Sequence, residues 1–270
     1  LSVLEAVVLG IVQGLTEFIP VSSTAHLVLV PAAFGWDTPP FAYTVMLHVG
    51  SLIAVVAYFW REILKVGQDL VRSGPGRRLA LLIVAATIPA VVVGFLFEEP
   101  ISRISEQPRV AAVTLLGTAL VLVLSEVIVR RKGTTDRRAE DAVNSLASDV
   151  TWNKATAIGI GQAAAILPGF SRSAFTIGTG LMVGLDRAQS ARFSFLMLIP
   201  ALAGAAVLKV PEIGSVEVGW GVIAAGFVAS LLASYFAVAL MIGYLQRHGL
   251  YPFAAYCLVV GVLGTALLKS

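Results

Sequence analysis

Twice in this chain a proline cuts an apolar run just ahead of a serine cluster, and neither stretch can continue as one straight helix through such a break. The first stretch is QGLTEFIPVSSTAHL, Gln13 to Leu27. Gln13 and Glu17 are four apart, so on a helix they share a face. Pro20 ends that helix, and Ser22, Ser23 and Thr24 are all good cap residues for a new one. The expected shape is helix, sharp tip, helix, with Glu17, Ser22, Ser23 and His26 gathered at the tip. The second stretch, GIGQAAAILPGFSRSAFT, repeats the grammar from Gly159 to Thr176. Gly10-Ile11-Val12-Gln13 matches Gly159-Ile160-Gly161-Gln162, and Ser22 and Ser171 follow their glutamines at the same spacing. Here Pro168-Gly169 makes the break, and Arg172 stands between Ser171 and Ser173.

The solvent for these tips follows from composition. The chain is 57% hydrophobic and only 13% charged, where soluble domains carry about 25% charged residues. So much apolar surface implies an integral membrane protein. The lone Cys257 excludes a disulfide framework and a cysteine metal cluster, and suits packing. No basic stretch precedes the first apolar run, so no cleavable signal is expected.

Residues 2–18 and 23–34 are arms too short to span, so a re-entrant pair fits them better. Spans are expected at about 42–60, 79–97 and 110–129. A polar linker, Arg130 to Lys154, follows. The pattern then restarts, with a re-entrant pair at about 155–183 and spans at about 192–209, 219–243 and 252–268. The expected fold is all-α integral membrane, with six transmembrane helices plus two re-entrant helix pairs in an inverted-topology repeat. It forms a single domain, 1–270. Repeat 1 covers about 1–130, a polar cytoplasmic linker about 131–154, and repeat 2 about 155–270.

Charge placement sets the orientation. A loop at 61–78 carries Arg61, Lys65, Arg72, Arg77 and Arg78, and the linker carries Arg130, Arg131, Lys132, Arg137, Arg138 and Lys154. The turns with Arg187, Arg192 and Arg247 fall on the same face. The opposite face has Arg103, Arg109, Lys209 and Lys269 among Glu98, Glu99, Glu106, Glu212 and Glu217. The basic face is then cytoplasmic, both termini lie outside, and the two tips enter from opposite leaflets to meet within the membrane.

Two helix N-termini aimed at one point, with the forked charge of Arg172 beside them, describe an oxyanion site suited to phosphate or diphosphate. The blander reading of Ser22, Ser23, Ser171 and Ser173 is capping or helix packing. An arginine between apolar arms is costly and points to function. Next to phosphate, Glu17 is tolerated if a divalent cation bridges the two or if it is protonated and acts as an acid; otherwise it is only paired with Arg172. His26 suits activating a serine, protonating a leaving group or attacking phosphorus, or it is merely satisfied by a carbonyl. His48 reads as a packing or supporting residue, and His248 as solvated. Gln13 and Gln162 either hydrogen-bond across the site or join helices.

QGLTEFIPVSSTAH resembles the (E/Q)xxxE-and-serine motif of the bacterial undecaprenyl-diphosphate phosphatase family, the bacitracin-resistance or BacA/UppP type. PGFSRSAFT resembles that family's PGxSRSxxT signature. Both motifs stand in the family's order in a chain of the family's length and hydropathy. The resemblance implies removal of the terminal phosphate from undecaprenyl diphosphate, giving the monophosphate carrier of wall polymers. It also implies a divalent cation, Mg²⁺ or Ca²⁺, with Glu17 as its protein ligand, and a site opening to the periplasmic side of the bacterial inner membrane. Glu17, Ser23, His26 and Arg172 are the expected catalytic residues. Gln13, Ser22, Thr24, Ser171, Ser173 and Thr176 are the expected substrate contacts. The expected partners are a polyprenyl diphosphate lipid and the bilayer, not nucleic acid. Gly117, Gly204, Gly226 and Gly261 suit close packing within the chain or in a homodimer.

Two positions depart from the family pattern. Gln13 takes the amide option, leaving only Glu17 to ionise, and Ala25 stands where the family has glycine, which would strain a backbone with positive φ. The rival function is a transporter or flippase for the same lipid, built on the same architecture.

Overall fold

Ser2 starts the first helix, α1 (Val3–Phe18), with a reciprocal box: its hydroxyl accepts from the Glu5 amide, and the Glu5 carboxylate accepts from the Ser2 amide. The helix stops at Ile19, whose backbone is extended, as Pro20 demands of the residue before it. Ser22 then caps α2 (Ser23–Phe34), which ends on the left-handed Gly35. The computed structural model describes residues 1–97, 107–132, 142–167, 169–209 and 218–268, and all twelve elements among them are α-helices. The others are α3 (Phe41–Tyr58), α4 (Trp60–Arg72), α5 (Pro75–Leu96), α6 (Pro108–Lys132), α7 (Ala142–Asp149), α8 (Trp152–Ala164), α9 (Arg172–Met182), α10 (Arg187–Lys209), α11 (Trp220–Leu245) and α12 (Tyr251–Leu267). Pro168, Arg137, Arg138, Lys269 and the charges expected at Glu98, Glu99, Arg103, Glu106, Glu212 and Glu217 lie outside the described residues.

Helices α5, α6, α10 and α11 are each long and apolar enough to cross a bilayer. Helix α3 reaches that length only together with α4, from which it is bent by 72°. Helix α12, with 17 residues, is apolar but shorter. Leu81, Val84, Ile88, Val91 and Phe95 on α5 are exposed, as are Leu232, Phe236 and Leu240 on α11. Water would not tolerate such continuous faces; lipid does. The chain is a multi-pass membrane protein.

The first helix of each tip lies along a long helix from the other half. Helix α1 packs on α11, and α8 packs on α5. Glycine makes both approaches possible: a Cβ at Gly14 would stand 2.5 Å from the Ser230 carbonyl oxygen, and one at Gly159 would stand 2.5 Å from that of Ala86. Tyr43 on α3 donates to the Ala6 carbonyl and fixes the start of α1. Phe18, at the end of α1, meets Phe195 of α10 edge to face at 5.2 Å, so the first tip rests on buried aromatic rings. Of the four glycines above, Gly117, Gly226 and Gly261 meet side chains or backbone within the chain, while Gly204 meets nothing.

Two expectations fail here. The stretch 61–78 is not a loop: most of it is α4, whose Ile63 and Val66 pack on the core. The linker is not wholly polar connection either. Helix α7 buries Val143, Leu146 and Ala147, and Gln189 of α10 donates to Ser145 (2.8 Å) and Asp149 (2.6 Å) on it. Both helices carry apolar residues at helical spacing beneath the charges that dominate their composition.

The basic segments gather at one end of the bundle. Glu126 of α6 takes a forked ion pair from Arg187 and also accepts from the Leu250 amide, tying α6 and α10 to the α11–α12 turn. Arg192 of α10 pairs with Glu62 of α4 at 3.0 Å, and Lys65 of α4 donates to Asn144 of α7.

Candidate active site

The two proline-broken tips meet. Ser22 contacts the Phe170 carbonyl at 3.4 Å, Ser173 contacts the Ile19 carbonyl at 3.4 Å, and the Ser171 amide donates to Thr118 of α6 at 3.1 Å. Each tip opens a helix with a serine cap: Ser22 accepts from the Ala25 amide and Ser171 from the Ala174 amide, both at 3.2 Å. The positive ends of α2 and α9 therefore start side by side. Ser22 reaches its place only with a φ of +72°, a conformation that costs a non-glycine residue roughly 1–3 kcal/mol. Ala25, which a positive φ would have strained, is an ordinary residue of α2, and the positive φ of this tip lies at Ser22.

Glu17 is the junction. Its Oε1 accepts from Arg172 Nη2 at 2.9 Å, bringing together residues 155 apart in the chain. Its Oε2 accepts from the Ser23 hydroxyl at 2.6 Å and from Gln13 Nε2 at 3.0 Å. Three donors on one buried side chain describe a carboxylate acting purely as an acceptor. A buried ion pair of this kind is affordable only with such added hydrogen bonds.

His48 of α3 enters the same site. Its Nδ1 meets the Thr44 carbonyl at 2.7 Å, while Nε2 faces Glu17 Oε2 across 3.8 Å. That gap exceeds a hydrogen bond and suits an intervening oxygen. His26 is engaged at both ring nitrogens, with the Ser22 carbonyl on Nδ1 and the Tyr256 hydroxyl on Nε2, each at 2.7 Å. Tyr256 lies on α12, and no local sequence signal links it to the tip. Thr176 is buried and bonds the Arg172 carbonyl and Ser194, bracing α9 from behind. Ser173 bonds Ser171 at 3.1 Å. Thr24 is exposed and takes no part in these contacts. His248 is exposed, as expected.

Two atoms of this cluster are buried without a partner: Arg172 Nη1, a donor, and Gln13 Oε1, an acceptor. Buried polar atoms rarely stay unpaired, so the site is shaped for a polar guest. Gln162, at the matching position of the second repeat, is also buried, with neither amide atom paired. The described residues hold no cluster of three His, Cys, Asp or Glu side chains. Oxygen donors are nevertheless present in Glu17, Ser23 and the open Gln13 Oε1. That set fits a hard cation taking its other ligands from a phosphate and water.

The sequence profile of a family described as "Bacitracin resistance protein BacA" matches residues 6–263. A protein of Moorella thermoacetica named undecaprenyl-diphosphatase is 40% identical over 99% of this chain and 98% of its own length. One of the same name from Rubrobacter xylanophilus is 39% identical, with 99% of each chain covered. A third, from Methanosphaera stadtmanae, is 34% identical over 97% of each.

Proposed function

The chain belongs to the bacitracin resistance BacA family, and from that premise we infer how its two tips work. It is an undecaprenyl-diphosphate phosphatase, releasing inorganic phosphate and leaving undecaprenyl phosphate. The observation that carries the mechanism is the grip of Arg172 and Ser23 on the single carboxylate of Glu17.

Arg172 Nη1 and the free amides of the two helix N-termini receive the diphosphate oxygens. Ser23 attacks the outer phosphorus and passes its proton to Glu17, 2.6 Å away. The bond from that phosphorus to the bridging oxygen breaks, and the lipid monophosphate departs. Water then attacks the phosphoserine; the Ser23 oxygen–phosphorus bond breaks, Glu17 returns its proton to that oxygen, and both protons of the water leave with the phosphate. The contacts of His26 favour Ser23 over it as the nucleophile, because both of its nitrogens are already occupied. A divalent cation, Mg²⁺ or Ca²⁺, would be held by Glu17 and Gln13 Oε1, and when bound it neutralises diphosphate charge.

The wider placement follows the same reading. Helices α1–α2 and α8–α9 are two re-entrant pairs, the six spans include α3 and α12, and the exchange of α1 and α8 between halves reflects an inverted repeat. The basic end faces the cytoplasm, and the site opens on the far side of the inner membrane. The lipid tail lies along the apolar flanks of the tips.

The test is phosphate release by purified protein in detergent with undecaprenyl diphosphate. Wild type is expected to release phosphate. Arg172→Lys keeps a charge beside Glu17 but loses the fork, and is expected to lower turnover about a hundredfold at unchanged thermal stability. Rapid quench is expected to trap a phosphoenzyme at Ser23. Release of no phosphate by the folded wild type would leave a lipid carrier as the surviving reading, since a carrier has no reason to hydrolyse the lipid it moves.

A further inference from the structure

Helix α4 has no buried residue and turns 72° away from α3 at Phe59, whose backbone sits at φ −94° and ψ 19°. At about 100° per residue, Trp60, Leu64 and Val71 fall in one narrow sector. They are 51%, 54% and 87% exposed. Arg61 and Arg72 share a second sector beside it, and both are exposed. Exposed Arg77, on the first turn of α5, extends the basic edge. The carboxylates on α4 are occupied elsewhere: Glu62 pairs with Arg192 of α10, and Asp69 accepts from the Gly76 amide at 2.8 Å. Lys65 turns toward Asn144 of α7. Elsewhere on the helix Ile63 and Val66 face the protein, while Leu70, 50% exposed, widens the apolar side away from the arginines.

We propose that α4 lies flat in the headgroup layer and binds anionic phospholipid. Trp60, Leu64 and Val71 enter the acyl boundary, and Arg61, Arg72 and Arg77 meet lipid phosphates. An apolar stripe flanked by cations is the arrangement that holds helices in a membrane surface, and Trp60 is an interfacial residue in its own right. Charge decides the occupant. A second copy meeting this face about a twofold axis would bring the same arginines against themselves, whereas anionic headgroups complement them. The proposal concerns the end of the bundle away from the tips and does not depend on the phosphatase mechanism.

The test places the whole protein in nanodiscs of phosphatidylcholine alone or of phosphatidylcholine with phosphatidylglycerol. Hydrogen exchange over residues 60–72 is expected to slow in the anionic discs, while α12 exchanges alike in both. Arg61→Gln, Arg72→Gln and Arg77→Gln together are expected to erase the difference. They should also weaken retention of phosphatidylglycerol, read by native mass spectrometry, by roughly fivefold per charge. Equal exchange of α4 in the two bilayers overturns the proposal. So does slowing that follows protein concentration rather than anionic lipid, which would identify a second copy as the occupant. The wild-type comparison stands even if the triple variant fails to fold.

Discussion

Glu17 accepts from three donors drawn from both tips, and a fourth polar group, His48, stands just beyond bonding distance. A water set to one side of the 3.8 Å line between His48 Nε2 and Glu17 Oε2 can bond to both. His48→Phe fills similar volume but removes that contact. Its turnover is expected to fall roughly tenfold, the weight of one hydrogen bond to a charged partner, with the thermal midpoint in detergent unchanged. His48→Gln, which keeps a polar end, should recover part of the rate; equal turnover in wild type and His48→Phe would remove the residue from the chemistry. The tips were legible from sequence because their signals are local: Pro20 marks the break, and Gln13 and Glu17 are one turn apart. The sequence marked His48 as a packing or supporting residue but did not place it beside Glu17, and it did not mark Tyr256 at all, because each meets the tip from another helix and nothing near it in the chain says so. The strained backbone at Ser22 was equally silent, since serine does not advertise positive φ as glycine does.

At the scale of elements, the site depends on how closely α1 lies against α11. A Cβ at Gly14 would stand 2.5 Å from the Ser230 carbonyl oxygen and 2.7 Å from the Ser234 amide nitrogen, both backbone atoms with no freedom to yield. Gly14→Ala must push the helices apart, at a cost of about 1–3 kcal/mol. That is expected to lower the thermal midpoint by several degrees and to reduce turnover, because Glu17 lies one turn further along α1. Gly67→Ala on exposed α4 meets nothing and is expected to leave the midpoint level or slightly raised. Calorimetry of the two variants in one detergent checks the contrast; similar shifts would show that α1 packs more loosely than this. The short arms and the four long apolar helices α5, α6, α10 and α11 were readable from apolar runs bounded by proline and charge. Helices α4 and α7 were not, because their charge content outweighs the apolar residues that set their packed faces, and only their periodicity separates them from loops.

For the molecule as a whole, the consequential question is whether α1 and α2 turn back or pass through. At 1.5 Å per residue they reach about 24 Å and 18 Å, each short of a bilayer core of about 30 Å. A hairpin of two such arms keeps Ser2 and Asp37 on one side, and a single broken span puts them on opposite sides. Both residues are exposed, as is Asn153 at the start of α8, and the native thiol of Cys257 is buried and silent. Separate cysteine replacements at the three positions, treated in intact cells with a membrane-impermeant maleimide, therefore read the topology. On the proposed orientation, with the basic end that holds α7 and the start of α8 in the cytoplasm, Ser2→Cys and Asp37→Cys are expected to label at once, and Asn153→Cys only after permeabilisation. This pattern requires an odd number of crossings between Asp37 and Asn153, which α3, α5 and α6 supply as three, so that α8–α9 enters from the opposite leaflet. Labelling of Asp37→Cys only after permeabilisation would make α1 and α2 one span, invert every helix that follows, and bring the second tip in from the same side as the first.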